Sequence, residues 1–140
     1  PADTLPPELL ENVDILIPNR TELEMISGHD CSGSVDEAVE SLAGIGVGTL
    51  VVTLGSKGAL ICRNGERRLM PAFKVKPVDT TAAGDTFCGA LCVALAEGRP
   101  IDEAVTFGNL AASITVTRAG PRSTGRHLYD NQQSFITINA

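Results

Sequence analysis

Two short apolar runs, Val13-Asp14-Ile15-Leu16-Ile17 and Thr49-Leu50-Val51-Val52-Thr53-Leu54, are held apart by about thirty residues with helical signals, and this limits the fold more than anything else in the chain. The first run ends at Pro18-Asn19 and the second at Gly55-Ser56-Lys57-Gly58, so both read as strands whose carboxyl ends carry turns. Between them, Thr21 to Gly28 has Thr and Glu near its start and Gly at its end, the capping signals of a short helix. Val35 to Gly44 sets Val35, Ala38, Val39 and Leu42 at helical spacing and stops at Gly44-Ile45-Gly46. Further on, Ala59 to Cys62 resumes a strand, Asn64-Gly65 supplies a hairpin turn and Leu69 to Val75 is expected to return. Thr86 to Ala96 is long enough for a helix, and Ile101 to Thr117 carries Ala104, Val105, Phe107, Ala111 and Ile114 on a broad apolar face. This order predicts a layered α/β fold with a mainly parallel sheet flanked by helices.

Composition narrows the function classes. A length of 140 residues with 43% hydrophobic residues fits one domain with a real core. No apolar run approaches the roughly 20 residues of a membrane span, so a soluble, cytoplasmic protein with no membrane partner is expected. A net charge of −6, with 11 Lys and Arg forming no long basic block, argues against nucleic acid and for small-molecule partners. Cys31, Cys62, Cys88 and Cys92 form no CxxC pair, and with only His29 and His127 beside them a zinc site is not expected.

In α/β sheets ligands sit beyond the carboxyl ends of the strands, where both glycine-containing turns fall. A separate signal lies at Ala82-Ala83-Gly84-Asp85, a small-residue turn opening a long helix. Such a turn leaves backbone N–H groups pointing outward, and small side chains let an anion reach them. Asp85 lies in the first turn, where its carboxylate either caps the helix or takes a proton from a hydroxyl beside that anion. An anion hole and a base within four residues suit phosphoryl transfer.

The stretch Asp79-Thr80-Thr81-Ala82-Ala83-Gly84-Asp85-Thr86-Phe87 resembles the carboxyl-terminal signature of the ribokinase-type (PfkB-like) carbohydrate kinases, D-T-x-[GA]-A-G-D-x-F. Pro18-Asn19-Arg20-Thr21-Glu22 is similar to the family's P-N-x-x-E element and Thr53-Leu54-Gly55-Ser56-Lys57-Gly58 to its nucleotide loop, while Asn109 falls in the helix that borders adenine. The Ala-Ala-Gly-Asp form and the Val116-Thr117-Arg118-x-Gly120 ending are most similar to the ribokinases within that family.

The resemblance implies a set of roles. Asp85 would deprotonate the primary hydroxyl of a sugar, D-ribose foremost, for attack on the γ-phosphate of ATP, with Ala82, Ala83 and Gly84 forming the N–H anion hole. Asn19 and Glu22 would organise Mg²⁺ and phosphates, largely through water; taken by itself Glu22 is a first-turn helix carboxylate. Thr53, Leu54, Gly55, Ser56, Lys57 and Gly58 would wrap the nucleotide, where the residues alone give a strand-ending turn. A K⁺ site beside the anion hole would use Asp79, Thr81, Thr115, the Arg118 carbonyl, Gly120 and a hydroxyl from Ser123 or Thr124. Without the family, Asp79 reads equally as a turn-initiating Asp.

The resemblance covers residues 1–120, the carboxyl-terminal ATP-binding and catalytic part of such a domain. It implies that the amino-terminal half, with most sugar contacts and the β-rich lid through which full-length members form homodimers, is missing here. Pro121 to Ala140 is expected to be an atypical tail, disordered or altered. Two alternatives stay open: a kinase for fructose, a ketodeoxy sugar acid or a nucleoside, and a truncated nucleotide-binding module without catalysis.

Overall fold

Asn64 and Gly65 take left-handed φ values of 53° and 77° in the computed structural model, which describes residues 5–118. Two consecutive positive φ values are what a two-residue hairpin turn requires, and Asn-Gly meets that demand at low cost. Pairing therefore restarts at once: β3 (Ala59–Arg63) is followed by β4 (Glu66–Met70), three residues earlier than the strand expected from Leu69. Pro71, which has no N–H to donate, follows the last paired residue, and residues 71–77 run on outside any ladder.

The described residues form two compact units. The first takes in the chain up to Leu54 together with Ala59–Leu69. It contains α1 (Pro7–Leu10), β1 (Ile15–Leu16), α2 (Arg20–Ser27), α3 (Asp36–Ile45), β2 (Thr49–Thr53), β3 and β4, with strands in the order β1-β2-β3-β4. β1 is parallel to β2, with Ile15 opposite Thr49, whereas β2 and β3 are antiparallel. The layered α/β arrangement is present, and its sheet is mixed where a mainly parallel one was expected. The reason is local: the turn after Thr53 reverses the chain into β3, so only the pair connected through two helices runs parallel.

β1 is shorter than the run Val13–Ile17 because Pro18 interrupts its donors. The parallel alignment nevertheless continues past it, since Thr53 N–H donates to the Pro18 carbonyl at 2.9 Å and Asn19 bridges Thr53. The apolar stripes of α2 and α3 pack with one face of the sheet: Leu23, Ile26, Ala38, Val39 and Leu42 join Leu16, Leu50, Val52 and Cys62 in one buried cluster. On the rim, Arg67 of β4 pairs with Asp36 and, at 3.0 Å, with Glu40, both on α3.

The second unit holds the 3-10 turn Gly55–Lys57 with Gly58, Met70 and the extended residues that follow it, α4 (Ala83–Ala96) and α5 (Ile101–Val116). α4 begins three residues before the expected Thr86, because Ala83, Gly84 and Asp85 already form its first turn. Phe87, Leu91 and Ala94 of α4 and Ala104, Val105 and Gly108 of α5 are buried. The two helices touch closely enough that a Cβ on Gly108 would lie 2.9 Å from the Phe87 ring. Among the described residues no helix is long and apolar enough to cross a membrane. Gly120, Ser123, Thr124 and the tail after residue 120 lie outside the described residues.

Candidate functional site

In the first unit, Asn19 and Glu22 begin α2 through a reciprocal pair of bonds. Asn19 Oδ1 accepts from the Glu22 N–H at 2.9 Å, and the Asn19 N–H donates to Glu22 Oε2 at 2.8 Å. This is a capping box, and it accounts for the two-residue spacing between Asn19 and Glu22 without any ligand. It uses one carboxylate oxygen, and a carboxylate has lone pairs on both, so capping and cation binding are compatible. The Asn19–Thr53 bridge brings this element and the end of β2 side by side, with Leu54 next in the chain.

The second unit gathers most of the other named residues. Gly55 and Gly58 take φ of 58° and 102°, and the Gly58 N–H closes the turn on the Gly55 carbonyl at 3.0 Å. Glycine at 58 is also demanded by space, since a Cβ there would lie 2.1 Å from the Met70 carbonyl oxygen and 2.6 Å from the Ala72 nitrogen. Ser56 and Lys57 are exposed. Asn109 is 6% exposed, and its Nδ2 donates to the carbonyls of Met70 at 3.0 Å and Pro71 at 3.3 Å. Both amide hydrogens are thus directed at protein acceptors.

At the amino end of α4, Ala82 sits in the left-handed region (φ 62°), a conformation costing a non-glycine residue roughly 1–2 kcal/mol. The first turn is partly closed: Ala83 N–H donates to Thr80 O at 3.3 Å and Thr86 N–H to Ala82 O at 3.0 Å. Of the three residues named for the anion hole, Ala83 therefore already has an acceptor. The Gly84 and Asp85 N–H groups stand at the end where the helix supplies no carbonyl and where its dipole favours negative charge. Asp85 is exposed, the third residue of the helix.

The residues proposed around a cation are tied to the carboxyl end of α5. Asp79 Oδ1 accepts from Thr81 N–H at 2.8 Å, so Asp79 initiates a turn, and the Val78 and Asp79 N–H groups both donate to the Val116 carbonyl. Thr115 Oγ1 donates to Ala111 O at 3.1 Å and lies 3.2 Å from Thr86 Oγ1, while its carbonyl accepts from Arg118 N–H at 3.1 Å. A carboxylate with carbonyl and hydroxyl oxygens is the donor chemistry of a hard cation, so these members of the set fit one. Sequence reasoning missed Thr80, Val116, Met70 and Pro71, which act through backbone carbonyls that any residue type would supply.

A cavity of about 220 Å³ in the first unit, between α3 and the β3–β4 hairpin, is lined by Glu40, Cys62, Arg63, Asn64 and Arg67 among others. It contains none of the residues named for chemistry. Burial pushes the Cys31 and Cys62 thiols above their ordinary value of 9.0, as expected of core residues rather than nucleophiles.

Residues 2–127 match the family described as pfkB family carbohydrate kinase. The ribokinase of Haemophilus influenzae is 42% identical over 126 residues, which cover 89% of this chain and 41% of the relative. A crystal structure of ribokinase from Thermotoga maritima superposes with a TM-score of 0.77 at 45% identity, covering 88% of this chain and 42% of that one. Arabidopsis thaliana ribokinase, solved as a complex with ribose and ATP, gives a TM-score of 0.75 at 38% identity over 84% and 39% of the two chains. The chain spans about two fifths of the length of these relatives.

Proposed function

The chain belongs to the pfkB family of carbohydrate kinases, and from that premise we propose that it carries the nucleotide-binding and catalytic-base part of an ATP-dependent kinase of D-ribose. The observation that carries the reading is the opening of α4: a left-handed Ala82, small residues at 83 and 84, and the Asp85 carboxylate within the same turn. Relatives named ribokinase, one of them solved with ribose and ATP, support the choice of sugar.

In this reading Asp85 accepts the proton of the sugar's primary hydroxyl as that oxygen bonds to the γ-phosphorus of ATP. The bond from phosphorus to the ADP oxygen breaks, and the proton leaves with the carboxyl group. Gly84 and Ala82 direct N–H dipoles at charge on the transferring phosphoryl group without reorganising during the reaction, while the Ala83 N–H, bonded to the Thr80 carbonyl, holds the turn in shape. The turn Gly55–Gly58, after Thr53 and Leu54, binds the nucleotide through backbone that only glycine lets a ligand approach. Asn19 and Glu22 would hold Mg²⁺ through water, and Asp79, Thr81, Thr115 and Arg118 would hold K⁺ with Gly120 and Ser123. The cations supply positive charge to the phosphates and the anion hole. A cytoplasmic location follows from the use of ATP on a free sugar.

The test is ribose-dependent ADP release by the chain with Mg²⁺ and K⁺, beside Asp85→Asn, which keeps the shape and removes the base. Turnover lost on substitution supports the reading, and equal turnover in both proteins sinks the role of Asp85. The second reading is a nucleotide-binding module without catalysis. Magnesium-dependent ATP binding with no ADP release would select it.

A further inference from the structure

We propose that the cleft between α3 and the β3–β4 hairpin is a binding site for a small primary amine with a compact apolar body. All of its walls belong to the first unit. Val39 of α3, Val47 just before β2, Leu50 within it and Cys62 of β3 form a buried floor, and their side chains offer nothing more polar than a thiol. The volume, about 220 Å³, exceeds the roughly 150 Å³ of an apolar protein cavity that takes up benzene. It falls short of the roughly 300 Å³ at which sites for drug-sized ligands begin, so a single ring with one short arm fits. Water on such a floor has few polar partners, and an apolar group that displaces it gains affinity.

The charge of the ligand is set at the mouth. Arg67 reaches from β4 to α3 and pairs with both Asp36 and Glu40, the latter at 3.0 Å. One cation against two carboxylates leaves a negative charge. Asp36 uses both oxygens, since Oδ1 accepts from Arg67 and Oδ2 from Ser34 Oγ at 2.5 Å. Glu40 accepts from Arg67 through Oε1, which leaves Oε2 for a further donor. The other charged walls, Arg63 and Glu66, flank the Asn64-Gly65 turn and carry opposite signs. An ammonium on the arm of the ligand meets Glu40 Oε2 while the ring lies on the floor, whereas a carboxylate finds Arg67 already taken. Leu50 is three residues from Thr53, about 10 Å along β2, and no wall of the cleft is a residue named for phosphoryl transfer. An occupant therefore binds whether or not the chain is a kinase.

Three probes that share one ring test this on the full chain: cyclohexylmethylamine, cyclohexylmethanol and cyclohexanecarboxylate, each titrated separately and read by NMR shifts of amides and methyl groups. Saturable shifts are expected at Val39, Val47 and Leu50, with α4 and α5 unmoved. The amine should bind with a Kd of about 1 mM and about fivefold tighter than the alcohol, the upper worth of an exposed ion pair, and the carboxylate should bind weakest. Added salt should shrink the preference. Glu40→Gln should abolish it while leaving affinity for the alcohol as it was. Ala43→Leu puts a good helix former over the mouth and should abolish binding of all three. Should Ala43→Leu fail to fold, the position of the shifts in the parent and the Glu40→Gln comparison still decide. Shifts that never saturate or that pass over the cleft, or binding undiminished in a folded Ala43→Leu chain, overturn the site. An alcohol bound as tightly as the amine, or an amine preference that survives Glu40→Gln, overturns its assignment to an amine.

Discussion

Asn19 and Glu22 offer a way to separate what a residue does for the fold from what it does for a ligand. If the capping box is what starts α2, Asn19→Ala removes the acceptor of the Glu22 N–H and costs about 1 kcal/mol, within the range of roughly 0.5–2 seen for lost N-caps. Glu22→Ala removes the reciprocal bond, 2.8 Å long, and costs about as much, on the scale of one hydrogen bond. Glu22→Gln is the informative change, because glutamine makes the same reciprocal bond and loses only a charge near the helix start, worth about 0.3–1 kcal/mol at an exposed site. The penalties reach the fold because the helix carries Leu23 and Ile26 into the buried cluster. In a chain of 140 residues 1 kcal/mol moves the unfolding midpoint by about 3–4 °C. Thermal unfolding followed by circular dichroism should therefore place Asn19→Ala and Glu22→Ala well below the parent and Glu22→Gln close to it. A Mg²⁺ titration of ATP binding on the same proteins should show Glu22→Gln requiring more Mg²⁺. The reasoning is refuted if Glu22→Gln melts as low as Glu22→Ala, since charge and not the bond would then hold the helix. It is equally refuted if Asn19→Ala melts with the parent.

Gly108→Ala should destabilise the chain by about 1–3 kcal/mol, because its Cβ has nowhere to go against the Phe87 ring and carbonyl; an unchanged urea midpoint would show that α4 and α5 are not packed that tightly. Asp85→Asn should cost no more than about 1 kcal/mol in urea unfolding, the worth of a charge in a first helical turn, so a larger loss would mark Asp85 as structural. Burial raises the Cys31 and Cys62 thiols, so the folded chain holds those protons more tightly than the unfolded one. Their contribution to stability is whole below pH 9.0 and is lost as pH rises through the raised folded values; unfolding free energy should fall over that range less steeply in Cys62→Ala, and identical slopes would exclude the thiol.

Much of the site was legible one residue at a time. Asn64-Gly65 announced its own turn, since few other pairs accept two positive φ values, and the apolar spacing of Val35 to Leu42 announced the face that α3 buries. The expected returning strand failed at Leu69 because the two-residue turn and Pro71 together set where pairing begins and ends, and neither fact lies within the apolar run itself. Asn109 was legible only as a member of a helix. Its amide partners are carbonyls 38 and 39 positions away, and a carbonyl has no residue type.

By itself the sequence determined the main strands and helices to within a few residues, and the small-residue turn that brings Asp85 to a helix amino end, because these depend on steric and hydrogen-bonding preferences acting within a few neighbours. Only the tertiary structure decided that β2 and β3 run antiparallel, that Gly58 is required by a passing backbone as well as by its own φ, and that Asn109 spends its donors on the chain. Those outcomes depend on which distant atoms arrive at the same place, and close packing settles that question after the local preferences have been satisfied.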